Sequence, residues 1–190
     1  RENAHRLVDV AEILADLRAK DKTVVHCHGV FDLLHIGHIR HFEEAKALGD
    51  ILVVTVTPDH FVNKGPGRPA FGEVLRAETI AALGCVDYVA INEWPTAVEA
   101  VKLIKPHYFV KGSEYADTSK DRTGGITEEE EAINSVGGEL VFTSDITFSS
   151  SSLINKHLRV LPSEVSQYLA EFSGRHHAEE IVGYLESAKP

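Results

Sequence analysis

Apolar runs of strand length alternate with helical stretches through most of this chain, and that alternation limits the fold more than any other feature. Ile51 to Thr57 reads ILVVTVT, a near-continuous apolar run that suits a strand buried on both faces, as in a parallel sheet. Pro58 ends it. Other β-rich runs cover Thr23 to His28, Val86 to Ile91, His107 to Lys111 and Leu140 to Thr143. Helical patterns fill the intervals: 36–48, 73–83 with Gly84 as its stop, and a stretch from Pro95 to the residue before Pro106. A further helix starts at a capping box of Thr127 and Glu130 and ends at Gly137-Gly138. Ahead of these, Leu7, Val10, Ile13, Leu14 and Leu17 recur at helical spacing over 6–20. Five strand–helix cycles predict an α/β fold: a Rossmann-like, doubly wound sheet of five parallel strands with helices on both faces. After Pro162 two helical stripes follow, one with Val165, Tyr168, Leu169 and Phe172, the other with Ile181, Val182, Tyr184 and Leu185. The chain is therefore read as one domain over 1–160, with an N-terminal helix at 6–20 and a core at 23–158, plus a C-terminal helical extension over 161–190.

In such sheets ligands bind beyond the carboxyl ends of the strands, where strand order reverses. His35, Lys64, Lys111 and the run Ser149-Ser150-Ser151-Ser152 all follow predicted strand ends, so the topology gathers them on one edge. The richest of these segments is Gly29-Val30-Phe31-Asp32-Leu33-Leu34-His35-Ile36-Gly37-His38, at the handover from strand to helix. A helix start offers unpaired N–H groups and the positive end of the macrodipole, so it attracts phosphate. Gly37 lets a phosphate approach the backbone, and His35 and His38 each carry a ring N–H donor. These parts suit a nucleoside triphosphate. The net charge of −10 argues against a nucleic-acid partner, so local basic residues and a divalent cation must hold the triphosphate. No apolar run approaches the roughly 20 residues that span a bilayer, which argues against a membrane partner. The chain opens on Arg1 in a polar segment without a signal-peptide pattern, as a fragment or trimmed chain would. Cys27 and Cys85 read as buried free thiols, so a cytoplasmic setting is expected.

The H-x-G-H sequence within GVFDLLHIGHIRHFEEAKALGD resembles the signature of the cytidylyltransferase-like nucleotidyltransferase superfamily. Other segments match it in order: Gly67-Arg68-Pro69 in the loop after the second strand, Arg76 on the next helix, Lys111-Gly112-Ser113-Glu114-Tyr115, and Ser149 to Ile154. The KGSEY segment is similar to the KGGDY of heptose-phosphate nucleotidyltransferases. The resemblance implies transfer of a nucleotidyl group from a triphosphate to a phosphorylated small-molecule acceptor, with release of pyrophosphate and with Mg2+ on the phosphates. It implies catalytic roles for His35, His38, Lys64 and Lys111. It implies nucleotide binding by Gly29, Val30, Phe31, Gly37, Arg76, Gly112, Glu114, Ser149, Ser150 and Ser151. Asp32 is expected to bind the acceptor or orient Lys64, unless it only caps the turn. Arg76 has an alternative partner in Glu73 or Glu78 on its own helix. The resemblance further implies a homodimer, and fusion to a sugar kinase through the C-terminal helices.

Within this family the GRP and KGSEY segments favour a sugar- or polyol-phosphate acceptor. Glycerol-3-phosphate cytidylyltransferases show R-T-x-G-I before the serine motif, where this chain has Asp145-Ile146-Thr147-Phe148. Arg122-Thr123-Gly124-Gly125-Ile126 is similar to that motif but lies ahead of a predicted helix and strand. ATP and CTP both remain open. Two other classes stand beside the enzyme reading. One is a non-catalytic nucleotide-binding module, which pyrophosphate release would rule out. The other is a zinc cage built from His26, His28, His35, His38 and His41, which would retain metal on dialysis.

Overall fold

The computed structural model describes residues 4–65, 67–115, 125–144, and 167, 168 and 171. Its strands are β1 (Ala4–His5), β2 (Val24–Gly29), β3 (Ile51–Val56), β4 (Tyr88–Ile91), β5 (Tyr108–Lys111) and β6 (Glu139–Phe142). The α-helices between them are α1 (Leu7–Arg18), α2 (Ile36–Lys46), α3 (Glu73–Ala81), α4 (Val98–Ile104) and α5 (Gly125–Ser135). The strands form one parallel sheet in the order β1-β4-β3-β2-β5-β6. The order reverses between β2 and β5, which makes the carboxyl end of β2 the switch point. The chain divides into two compact units, residues 1–150 and 151–190. In the second unit Gln167, Tyr168 and Glu171 are helical, and Gln167 Nε2 donates to Glu171 Oε1 at 3.3 Å.

β2 is the pivot because it pairs along its length with β3 and over Val25–Cys27 with β5. Side chains alternate across the sheet, so each strand feeds two cores. Val25, Cys27, Leu52, Val54, Val56, Val89 and Val110 meet Phe42 and Ala45 of α2 and Ala77 and Ile80 of α3. Val24, Val53 and Ala90 point the other way, to Leu7, Val10 and Leu14 of α1 and Ala100 and Ile104 of α4. Phe109 packs with Ala132 and Ile133 of α5. Near-continuous burial of β3 is why ILVVTVT carries no polar alternation.

The structure departs from the sequence reading at four points. The sheet has a sixth strand, β1, whose two residues pair with the edge of β4; so short a strand leaves no periodicity to read. The Asn92 side-chain amide donates to the carbonyls of Trp94 at 2.7 Å and Thr96 at 2.8 Å, so α4 starts after Pro95, at Val98. α5 starts two residues ahead of Thr127, at Gly125, with Ile126 already buried, so Thr127 is inside the helix and forms no capping box. Finally, Ile13 of α1 is 37% exposed while Ala11 is buried. Ser149, Ser150, Ser151 and the C-terminal stripes, apart from Tyr168, lie outside the described residues.

The face of α1 gives a direct test. Leu14→Ala removes a fully buried side chain and is expected to cost about 2–5 kcal/mol. Ile13→Ala is expected to cost only about 0.5 kcal/mol, as surface substitutions do. Urea unfolding of both variants checks the contrast; equal losses would mean that α1 docks on a different face.

Candidate active site

The handover from β2 to α2 is set by three local features. Phe31 adopts φ +48°, a backbone conformation uncommon for a bulky side chain, and is held there by packing. Its ring meets Phe42 at 5.0 Å and the edge of His38 at 5.5 Å between centroids. Gly29 permits this, since a Cβ there would lie 2.9 Å from the Phe31 ring. His35 then caps α2: its Nδ1 accepts the Gly37 N–H at 3.2 Å. An accepting Nδ1 leaves the proton of the neutral ring on Nε2.

His38 lies one turn further on, its ring stacked on His35 with centroids 3.9 Å apart. Its Nδ1 is buried with no hydrogen-bond partner. Burial, then the charges of His35, His41 and Lys64, lower its pKa to about 3. It is therefore neutral near pH 7 and offers one N–H without bringing a charge. Lys64 stands exposed on the loop after β3, close enough for its charge to act on His38 and to interact with Arg68 and Asp32.

Arg76 and Asp32 frame this centre from behind. The Arg76 guanidinium is 1% exposed. It donates to the carbonyls of Val30, Phe71 (2.9 Å) and Thr57 (2.8 Å), and to Asp59 Oδ1 at 2.6 Å. Its partner is thus Asp59, not Glu73 or Glu78, and its charge serves the loops around the site instead of facing an open anion site. Glu73 instead caps the other end of the same contact, accepting from Asp59 N at 2.7 Å. Both oxygens of Asp32 are also engaged: one accepts from Arg68 Nε, the other from Ala70 N at 2.5 Å. Asp32 thus closes the loop over 68–70 with both oxygens.

Lys111 is set apart from the histidine pair. Its Nζ pairs with Glu129 Oε2 at 2.7 Å and lies over the rings of Tyr115 (4.9 Å) and Phe109 (5.4 Å). Its charge acts on His26, His28 and His41, helping to lower all three. Gly112 and Glu114 follow it in a single 3-10 turn over Ser113–Tyr115, closed by Tyr115 N to Gly112 O at 3.0 Å. Gly29 and Val30 contribute through backbone: their carbonyls accept from Thr57 N and Arg76.

Three groups escaped the sequence reading. Glu129 sits in a run of four glutamates that reads as a solvated face. Its spacing from Ile126, Ala132 and Ile133 nevertheless puts it on the buried side. Arg68 was noticed only as part of a motif. Thr55 Oγ1 lies 2.8 Å from both His26 Nε2 and His28 Nδ1, and Thr57 Oγ1 lies 3.2 Å from His28 Nε2. With one proton, the Thr55 hydroxyl donates to one ring and accepts from the other. These rings, and His41 bonded to Thr143 at 3.0 Å, are occupied by hydroxyls. Among the described residues no three His, Cys, Asp or Glu side chains gather into a group able to hold a metal ion. No described helix is long and apolar enough to cross a membrane.

Comparison with known proteins supplies an independent view. A family model described as cytidylyltransferase-like matches residues 26–156. The bifunctional protein HldE of Pelobacter propionicus is 38% identical over 149 residues, which are 77% of this chain and 29% of that protein. The bifunctional protein HldE of Geobacter metallireducens is 34% identical over 158 residues, 82% of this chain and 31% of that protein. The chain thus spans under a third of the length of these curated relatives. The crystal structure of the lipopolysaccharide core biosynthesis protein from Thermoplasma volcanium superposes with a TM-score of 0.55 at 30% identity, over 66% of this chain and 99% of that one.

Two measurements test the site's framework. Arg76→Met is expected to cost about 3 kcal/mol or more in urea unfolding, since each buried carbonyl left without its donor costs roughly 1–3 kcal/mol. Arg76→Lys is not expected to rescue it, because one ammonium cannot reach three chain segments. A loss under about 1 kcal/mol for both would contradict this role. The second test is pH. His26 and His38 are lowered to about 3 and His41 to about 4, chiefly by burial, against an unfolded value of 6.5. Between these values the unfolded chain binds more protons, so stability is complete above about pH 6.5 and falls as pH drops towards 4. The melting temperature is expected to follow; a flat profile over that window would mean that the rings titrate in the fold as they do in the unfolded chain.

Proposed function

Because the chain belongs to the cytidylyltransferase-like family, we propose that its nucleotidyltransferase domain transfers a nucleotidyl group from ATP or CTP to a sugar- or polyol-phosphate and releases pyrophosphate. The observation that carries this reading is the stacked pair His35–His38 at the start of α2, with His38 neutral and beside the Lys64 charge. In the reaction one anion attacks another, so the barrier is largely electrostatic. Fixed donors and nearby positive charge lower it without a covalent intermediate. The Nε2–H of His35 and the N–H of His38 would face the α-phosphate and its bridging oxygen. Lys64 adds charge where negative charge builds on the departing pyrophosphate. Lys111 lies against Glu129 through one contact of its ammonium, so a role on phosphate would use the remaining N–H donors.

Mg2+ belongs to this reading as a partner of the triphosphate. The carboxylates nearest the histidines do not fit a protein-held ion: Asp32 is bonded through both oxygens, and Asp59 is bonded to Arg76 and to the Glu73 N–H. No step is assigned to the ion. For the acceptor, Gly125 and Ile126 open α5 ahead of β6. Along the chain, α5 and β6 thus stand between the RTGGI stretch and the serine run, which supports a sugar phosphate over glycerol 3-phosphate. The reading carries with it a homodimer, a cytoplasmic setting, and a covalently joined sugar kinase. The last is supported by relatives that are named bifunctional and of which the matched residues make up 29% and 31%.

The test is a two-way screen of four nucleoside triphosphates against sugar 1-phosphates and glycerol 3-phosphate, read by pyrophosphate release. Release that needs both reactants is expected. His38→Ala should then lower kcat by about 10²–10³, the scale for removing one transition-state donor. No release with any pair, and no triphosphate binding, would overturn the reading.

A further inference from the structure

Arg68 and Arg76 stand on the same side of the site but are satisfied very differently. Arg76 is bonded to three carbonyls and a carboxylate. Arg68 is also buried, with its side chain 6% exposed and that of its partner Asp32 0% exposed. Among the described residues Arg68 is bonded through Nε, to Asp32, while Nη2 is buried with no hydrogen-bond partner. The edge of a guanidinium that carries Nε–H and Nη2–H ordinarily takes both oxygens of one carboxylate. Here Asp32 turns its second oxygen to the Ala70 N–H at 2.5 Å and leaves Nη2 open. A buried cationic donor without an acceptor is costly and is rare in a finished core.

The surroundings indicate the missing acceptor. Lys64, on the same loop, interacts electrostatically with Arg68 and with His38. His38 Nδ1 is likewise buried without a partner. Asp32 balances one of the two loop cations, and Asp59 balances Arg76, which leaves an excess of positive charge and open donors. A phosphoryl oxygen fits the open Nη2 donor beside the Lys64 charge, and the proposed reaction brings such oxygens on both substrates.

We propose that Arg68 is a substrate-binding residue whose Nη2 donates to a phosphoryl oxygen of one of the two reactants, and that Asp32 is a positioning residue acting through it. This deepens the nucleotidyl-transfer reading and rests on it. It moves Asp32 from direct acceptor contact to the aiming of a guanidinium.

The experiment uses the full chain and its Arg68→Gln, Arg68→Lys and Asp32→Asn variants. ATP, CTP and inorganic phosphate are titrated by calorimetry, the last with and without nucleotide. Arg68→Gln is expected to weaken one class of probe by about 10- to 100-fold, the scale of a hydrogen bond between charged groups, and to leave the other class unchanged. Loss confined to ATP and CTP assigns the triphosphate; loss confined to inorganic phosphate assigns the acceptor. Arg68→Lys, which keeps the charge and loses the planar fork, is expected to restore little. In the pyrophosphate assay Asp32→Asn should raise KM for that same reactant alone, a split that general loosening of the loop would not produce. Should the variants fail to fold, the side-chain 15N–H signals of arginine in the unaltered chain decide. One buried guanidinium signal must shift when the probe is added, and no shift overturns the proposal. Equal binding and turnover in a folded Arg68→Gln would remove the Arg68 assignment and leave nucleotidyl transfer standing. An unaltered chain that neither binds triphosphate nor releases pyrophosphate removes both.

Discussion

A single buried guanidinium joins the segments that frame the site. Arg76 comes from α3, yet it binds the carbonyl of Val30 after β2, that of Thr57 and the carboxylate of Asp59 after β3, and that of Phe71 before its own helix. Loops at strand ends have few apolar contacts of their own, and here they converge on five fixed donors in one plane. Asp59 and Glu73 then exchange bonds with one another's backbone, at 3.1 Å and 2.7 Å, which ties the start of α3 to the same point. The turn that presents His35 and His38 is built directly on this base.

On that base the two imidazoles are held in contact. Stacked rings 3.9 Å apart cannot both carry a proton cheaply, and burial adds to the cost. A neutral donor at His38 suits the proposed reaction, in which a highly charged substrate enters and its product leaves. The formal cations stand nearby but are differently employed: Lys64 exposed on its loop, Arg68 half-used by Asp32, and Lys111 against Glu129. Positive charge is thus graded around the histidine pair.

The opposite side of β2 and β3 shows a different use of histidine. His26 and His28 share the Thr55 hydroxyl, and Lys111 helps to lower the pKa of both, after burial. Their spacing alone is equally compatible with a metal site. Only the register of β2 against β3, which sets His28 across from Thr55, turns the pair towards hydroxyls.

Much of this was legible in the sequence because it is local. The apolar run of β3, the alternation of strands and helices, and the glycine between two histidines at a helix start each follow from neighbours within a few residues, where period and backbone preference act. So the parallel sheet, its switch point and the H-x-G-H turn could be read directly. The assignments of Arg76, Asp32, Arg68, Lys111 and Glu129 could not. Each depends on partners 17 to 46 residues away in the bonds Arg76–Asp59, Asp32–Arg68 and Arg76–Val30, or on which face of a helix meets a strand. A charged side chain carries no period that names its counter-ion. Tertiary packing alone decides which cation is consumed by the fold and which keeps a donor for a ligand.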